Sequence, residues 1–145
     1  MKVREATKED WSAIKALIDN SPELMKTRLT SYRSFFVAEH EGRVVGCGAL
    51  AVNVQEDLSE DEVDKSPKTA EIRSLAVEPE FQGQGIGSRI VQRCLDRAHE
   101  RKVYEVATYT NAPEFFEKFG LKSNDGWKYA LFVVLKNSRT STEGG

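Results

Sequence analysis

The stretch Glu71–Gly87, EIRSLAVEPEFQGQGIG, decides how the rest of the chain is read. Up to Val77 it alternates in twos, the period of a strand. Pro79 lies just past the end of that pattern. Gly83, Gly85 and Gly87 follow, each separated by one residue, and lead into a run with helical apolar spacing. Backbone at a helix start offers N–H groups without intrahelical partners and the positive end of the helix dipole. Glycines let a ligand approach those groups closely. A phosphate-bearing ligand is one reading, and a tight strand-to-helix turn is the other. Two familiar phosphate loops fail on spacing. A dinucleotide fingerprint begun at Gly83 needs its last glycine at Ser88, and the Gly-Lys-Ser/Thr of a P-loop is absent.

Working outward, apolar periodicity predicts a short strand over KVREA from about Val3, and a helix over Trp11–Asn20. Thr7 caps that helix, with Asp10 three residues on as a short form of the capping box. A second helix is expected from Ser21-Pro22. Phe35–His40 and Arg43–Leu50 read as a hairpin turning at Glu41-Gly42. Gly46 and Gly48 share one face of its second strand, which marks a bulge or the close approach of another group. Glu56–Lys68 is a charge-rich segment, read as a solvated loop or a functional acidic patch.

Further strands are expected over Thr69–Val77, Val103–Tyr109 and Trp127–Leu135. Helices are expected over Gly85–Glu100 and Pro113–Phe119. Strand alternation puts Glu71, Arg73, Leu75 and Val77 on one face and Ala70, Ile72, Ser74 and Ala76 on the other. The strand–helix–strand unit around Gly85 implies a right-handed crossover between parallel strands. The fold class is α/β, or α+β in some schemes: a mixed, mostly antiparallel sheet with helices on both faces. One domain is expected over residues 1–136, with a disordered tail over 137–145.

The 145 residues are enough for one hydrophobic core. A net charge of −2 gives no basic field, which argues against nucleic-acid binding. Cys47 and Cys94 cannot build a disulfide scaffold and read as buried free thiols. No apolar run reaches membrane-spanning length, and the first ten residues lack a signal-peptide apolar region. A cytoplasmic protein without membrane contact is expected. His40 and His99 are isolated in separate elements, so no metal site is expected.

SLAVEPEFQGQGIGSRIVQRCL resembles the acyl-CoA-binding motif of the GCN5-related N-acetyltransferases: Arg or Gln, two residues, Gly, one residue, Gly or Ala. The motif falls on Gln82, Gly85 and Gly87. The resemblance runs in element order from about Val3 to Leu135. It implies acetyl-CoA as cosubstrate, its pyrophosphate over Gln82, Gly83, Gln84, Gly85, Ile86, Gly87 and Ser88. The pantetheine arm would run beside the backbone of Leu75, Ala76 and Val77. Glu71 matches the place of a catalytic glutamate in several members and is the candidate base.

AEIRSLAV together with TYTNAPEFFEKFG is similar to the amino-acid N-acetyltransferases of the N-acetylglutamate synthase type. That similarity makes Arg73 the candidate for gripping an acceptor carboxylate. Lys118 and the Lys26/Arg28 segment are possible helpers. Many members carry a tyrosine acid where this chain has Phe116. Tyr109 or water would then protonate the leaving thiolate.

The expected reaction is acetyl transfer to the primary amine of a small acceptor, an amino acid such as glutamate. The alternatives are acetylation of a protein lysine or N-terminus, and a CoA-binding regulatory protein without turnover. The family resemblance also suggests a homodimer.

Overall fold

The computed structural model describes residues 1–21, 31–53, 68–110, 112–123 and 130–134. The second helix expected from Pro22, the Lys26/Arg28 segment, most of the acidic stretch and the tail lie outside the described residues. Seven strands hydrogen-bond in the order β1-β2-β3-β4-β5-β7-β6. They are β1 (Lys2–Glu5), β2 (Phe35–His40), β3 (Arg43–Asn53), β4 (Lys68–Val77), β5 (Val103–Tyr109), β6 (Lys122–Ser123) and β7 (Ala130–Val134). The described helices are α1 (Trp11–Asp19), α2 (Ile86–Glu100) and α3 (Pro113–Glu117). The chain clusters into two compact units.

The first unit comprises Met1–Ala51 and Ile72–Leu95. Here β1 pairs antiparallel with β2, and β2 antiparallel with β3. One sheet face carries Phe35, Val37, Cys47, Ala49 and Ala76. They are buried with Ile14, Leu17 and Ile18 of α1. Every third or fourth position of α1 is apolar, so one stripe of a short helix covers that face. The opposite face receives α2. A Cβ on Gly48 would come within 2.7 Å of Ile90 Cγ2, and one on Gly46 within 3.3 Å of both Ile86 Cγ2 and Ile90 Cδ1. Close approach is therefore one role of these glycines. A bulge is also present: Ala38 pairs with Gly46 and Glu39 with Val44, so the register skips Val45.

The first strand is locked to the first helix by charge. Arg4 donates to both oxygens of Asp10, at 2.7 and 3.0 Å, and to Glu39 Oε1 at 2.9 Å. Asp10 Oδ2 also accepts the Thr7 N–H at 2.7 Å, the back-bond expected of the capping box. The Asp10 carboxyl is held below its ordinary value, first by the Arg4 hydrogen bonds and against the cost of burial.

The second unit comprises Val52–Glu71 and Asp96–Gly145. In it β5 and β6 flank β7, both antiparallel, with Tyr109 opposite Ala130 and Lys122 opposite Phe132. Val103, Val106, Phe116 and Leu121 are buried. β6 was not expected; two residues are too short for an alternation signal. Of the expected last strand, Ala130–Val134 is described as β7, and residues 127–129 and 135 lie outside the described residues.

Candidate active site

β4 and the turn after it position most of the expected site residues. Leu75, Ala76 and Val77 end the strand, as the alternation predicts. Pro79–Phe81 forms one 3-10 turn with proline at its first position. The Phe81 N–H bonds the Glu78 carbonyl at 2.8 Å, and the Gln82 amide Nε2 reaches back to the Val77 carbonyl at 2.9 Å. Gly83 and Gly85 then adopt φ of +80° and +82°. Such angles strain any residue with a Cβ, so here glycine supplies the turn. Nothing lies within 4 Å of where either Cβ would be. The Arg89 N–H closes the first helical turn on the Gly85 carbonyl at 3.1 Å.

Gln82, Gly83, Gln84 and Gly85 are exposed, Gly87 and Ser88 half-buried, and Ile86 is anchored in the core. An open loop with backbone at positive φ leads straight into a 15-residue helix. Those residues fit a pyrophosphate: no side chain fills the approach, and the dipole of α2 favours an anion.

Glu71 and Arg73 lie two residues apart on β4, both half-buried and both engaged in polar or electrostatic interactions. Between them and Leu75 sits Ser74 with φ of +56°. Left-handed backbone costs a non-glycine residue on the order of 1 kcal/mol. It also interrupts the regular extended backbone expected across Glu71–Val77. Ile72 and Ala76 are buried and Glu71, Arg73, Leu75 and Val77 half-buried, and only the half-buried Ser74 departs from that pattern.

Burial thus follows the expected counting in twos on both sides of Ser74. Serine carries no sequence signal for this conformation, unlike glycine or asparagine. Cys47 touches the irregularity directly: its thiol donates to the Ser74 carbonyl at 3.5 Å. Burial pushes the Cys47 thiol up to about 12, although a hydrogen bond from the Ala76 backbone acts the other way. Both cysteines are free and buried, as expected.

In the second unit Tyr109 ends β5 with 47% of its surface exposed. The Lys118 ammonium lies 4.4 Å from the centre of the Phe115 ring and 5.5 Å from that of Phe119. Its charge thus rests on aromatic faces just after α3. Phe116 is buried and packs edge-on against Phe115 at 5.0 Å, a packing role that its lack of a hydroxyl permits. Of the expected site residues, Val77 also lines a cleft with Leu17, Asn20, Arg43, Val44 and Glu80. Among the described residues, no group of three or more His, Cys, Asp or Glu could hold a metal ion.

Comparison with known proteins agrees with this geometry. The chain is 38% identical over 133 residues to an amino-acid acetyltransferase of Mycobacterium tuberculosis, covering 86% of this chain and 70% of that one. A solved Mycobacterium tuberculosis structure in complex with CoA and NLQ superposes with a TM-score of 0.72 at 35% identity. That match covers 87% of this chain and 74% of the other. N-acetylglutamate synthase from Neisseria gonorrhoeae, complexed with coenzyme A and L-arginine, shares the fold at a TM-score of 0.72 and 24% identity. It covers 92% of this chain and 33% of the synthase. The acetyltransferase (GNAT) family model matches residues 2–121. That span holds β4, the glycine turn and α2 in one continuous run, and the chain belongs to the acetyltransferase (GNAT) family.

Proposed function

We propose that the chain transfers the acetyl group of acetyl-CoA to the primary amine of a small amino acid, glutamate being the first candidate. The observation that carries the acceptor class is the 38% identity, over 86% of this chain, to an amino-acid acetyltransferase. The open glycine loop supports the cofactor half of the reading. Gln82–Ser88 would hold the pyrophosphate through backbone N–H groups, and Leu75–Val77 would line the pantetheine arm. Bound acetyl-CoA supplies an acetyl group activated as a thioester.

Glu71 is the base that takes the proton the amine gives up, directly or through one water. Arg73 has the planar donor fork that a carboxylate of the acceptor requires. Phe116 has no proton to give, so Tyr109 or water protonates the departing thiolate. Lys118 keeps its ammonium over Phe115 and Phe119 and is the weaker candidate for acceptor binding.

The test is thiol release from acetyl-CoA in the presence of amino acids, polyamines and peptides. Release with glutamate or another amino acid supports the proposal. Release with peptides alone overturns it in favour of protein acetylation. CoA binding without release for any acceptor assigns a non-catalytic role. Glu71→Gln is expected to lower turnover at least about 100-fold while sparing CoA binding. Arg73→Ala is expected mainly to raise the acceptor KM. Unchanged values in either variant remove that residue from its role.

A further inference from the structure

Between the end of β4 and the glycine loop lies a turn of five residues, Glu78–Gln82, and the β2–β3 hairpin grips it from one side. The Glu78 N–H bonds the carbonyl of Val45, the residue the β2–β3 register skips, at 2.9 Å. Arg43 Nη1 sits between the two oxygens of the Glu78 carboxylate, at 2.6 and 2.7 Å. The same guanidinium lies 5.8 Å from the centre of the Phe81 ring, and the His40 ring is 5.1 Å from it. Two residues that flank the hairpin turn, His40 and Arg43, therefore both hold Phe81.

The glycine loop itself is held more lightly, by the Gln82 amide on the Val77 carbonyl at 2.9 Å and the Gln84 amide on that of Glu80 at 3.4 Å. Gly83 and Gly85 carry no side chain, and nothing packs within 4 Å of the space a Cβ would take. A backbone anion site works only while its N–H groups point one way, and ordering a loose loop at binding costs affinity. The loop's order then comes largely from its two ends. Ile86 and Ile90 of α2 secure one, and the grip on Glu78 and Phe81 secures the other.

We propose that Arg43 is a positioning residue for coenzyme A, acting on the pyrophosphate loop through Glu78 and Phe81 rather than by touching the ligand. The proposal rests on the reading that coenzyme A binds this loop. The Arg43 side chain is 56% exposed and that of Glu78 23% exposed, and ion pairs this open contribute little to global stability. The loss of Arg43 is therefore felt in ligand binding and hardly in unfolding.

Isothermal titration with CoA, alongside thermal unfolding, tests this on the full chain. Arg43→Gln and Glu78→Gln should each weaken CoA binding by about three- to tenfold, with Tm within about 2 °C of the unsubstituted chain. The double variant should be no weaker than the singles, because both remove one contact. The exchange Arg43→Glu with Glu78→Arg should recover much of the lost affinity. Weakening by Arg43→Gln without weakening by Glu78→Gln would mean that Arg43 acts by its own charge on the ligand, and would overturn the proposal. Unchanged CoA affinity in both variants would also overturn it, whatever happens to Tm. Failure of the unsubstituted chain to bind CoA would instead refute the cofactor reading from which the proposal starts.

Discussion

Replacing Gly48 with alanine puts a methyl group where α2 already rests on β3. The new Cβ would lie 2.7 Å from Ile90 Cγ2 and 3.1 Å from Leu75 Cδ1. Leu75 Cδ1 ends a side chain that can turn away. Ile90 Cγ2 is the branch methyl at Cβ, fixed by the single rotamer that isoleucine favours in a helix. Relief therefore requires α2 to move away from the sheet. Overpacking of this kind costs about 1–3 kcal/mol. Alanine returns about 0.5–1 kcal/mol by restricting the unfolded chain. The net expectation is a loss centred on about 1 kcal/mol and reaching at most about 2.5 kcal/mol.

Gly46→Ala is the internal control. Its contacts are at 3.3 Å, and one of them, Ile90 Cδ1, is a chain end that can yield. Its loss should stay below about 1 kcal/mol. Urea unfolding followed by tryptophan fluorescence measures both. Gly48→Ala should lower the midpoint with an unchanged slope. Adding Ile90→Leu, which moves the branch methyl from Cβ to Cγ, should recover part of the loss. CoA affinity should fall with Gly48→Ala, because Ile86 and Ile90 anchor the first turns of α2. A Gly48→Ala chain as stable as the original, or more stable than Gly46→Ala, would refute the reasoning.

Two further outcomes follow from the buried polar groups. Asp10→Asn should destabilise the chain by about 1–3 kcal/mol near neutral pH, because Arg4 loses a charged partner. The Asp10 carboxyl is depressed in the folded chain. Its stabilisation is thus full above the unfolded value near 3.9 and lost as pH falls through the folded value. The gap between the original chain and Asp10→Asn, measured by urea unfolding, should close in acid below about pH 4; a gap independent of pH would contradict this. Cys47 and Cys94 are fully buried, and the Cys47 thiol is raised to about 12. A thiol reagent at pH 8 should label neither in the native chain over minutes and both after denaturation. Rapid native labelling of Cys47 would show that the sheet opens around Ser74.

Much of the architecture was legible because its signals are local. The apolar, β-branched and aromatic runs of β2, β3 and β5 and the apolar stripe of α2 are written in consecutive residues, and so is the proline that follows β4. The glycine loop was legible because positive φ at Gly83 and Gly85 has a residue type that announces it. The two-residue β6 was not, because its pairing depends on β7 rather than on its own pattern. The left-handed backbone at Ser74 was not legible for a related reason: a serine at φ of +56° looks like any strand serine.

By itself the sequence determined the strand–loop–helix that can receive a pyrophosphate, and the order of elements around it. Each of those features is a property of a few neighbours in the chain, expressed through sterics and hydrogen bonding along the backbone. Only the tertiary structure decided that Gly46 and Gly48 are seats for α2. Only it showed that Cys47 meets the irregularity at Ser74, and that Arg43 reaches Glu78 and Phe81. These contacts join residues 27 to 44 positions apart. Contacts at such separations exist only once the sheet has set its register and a helix has chosen its face, and no local preference encodes that.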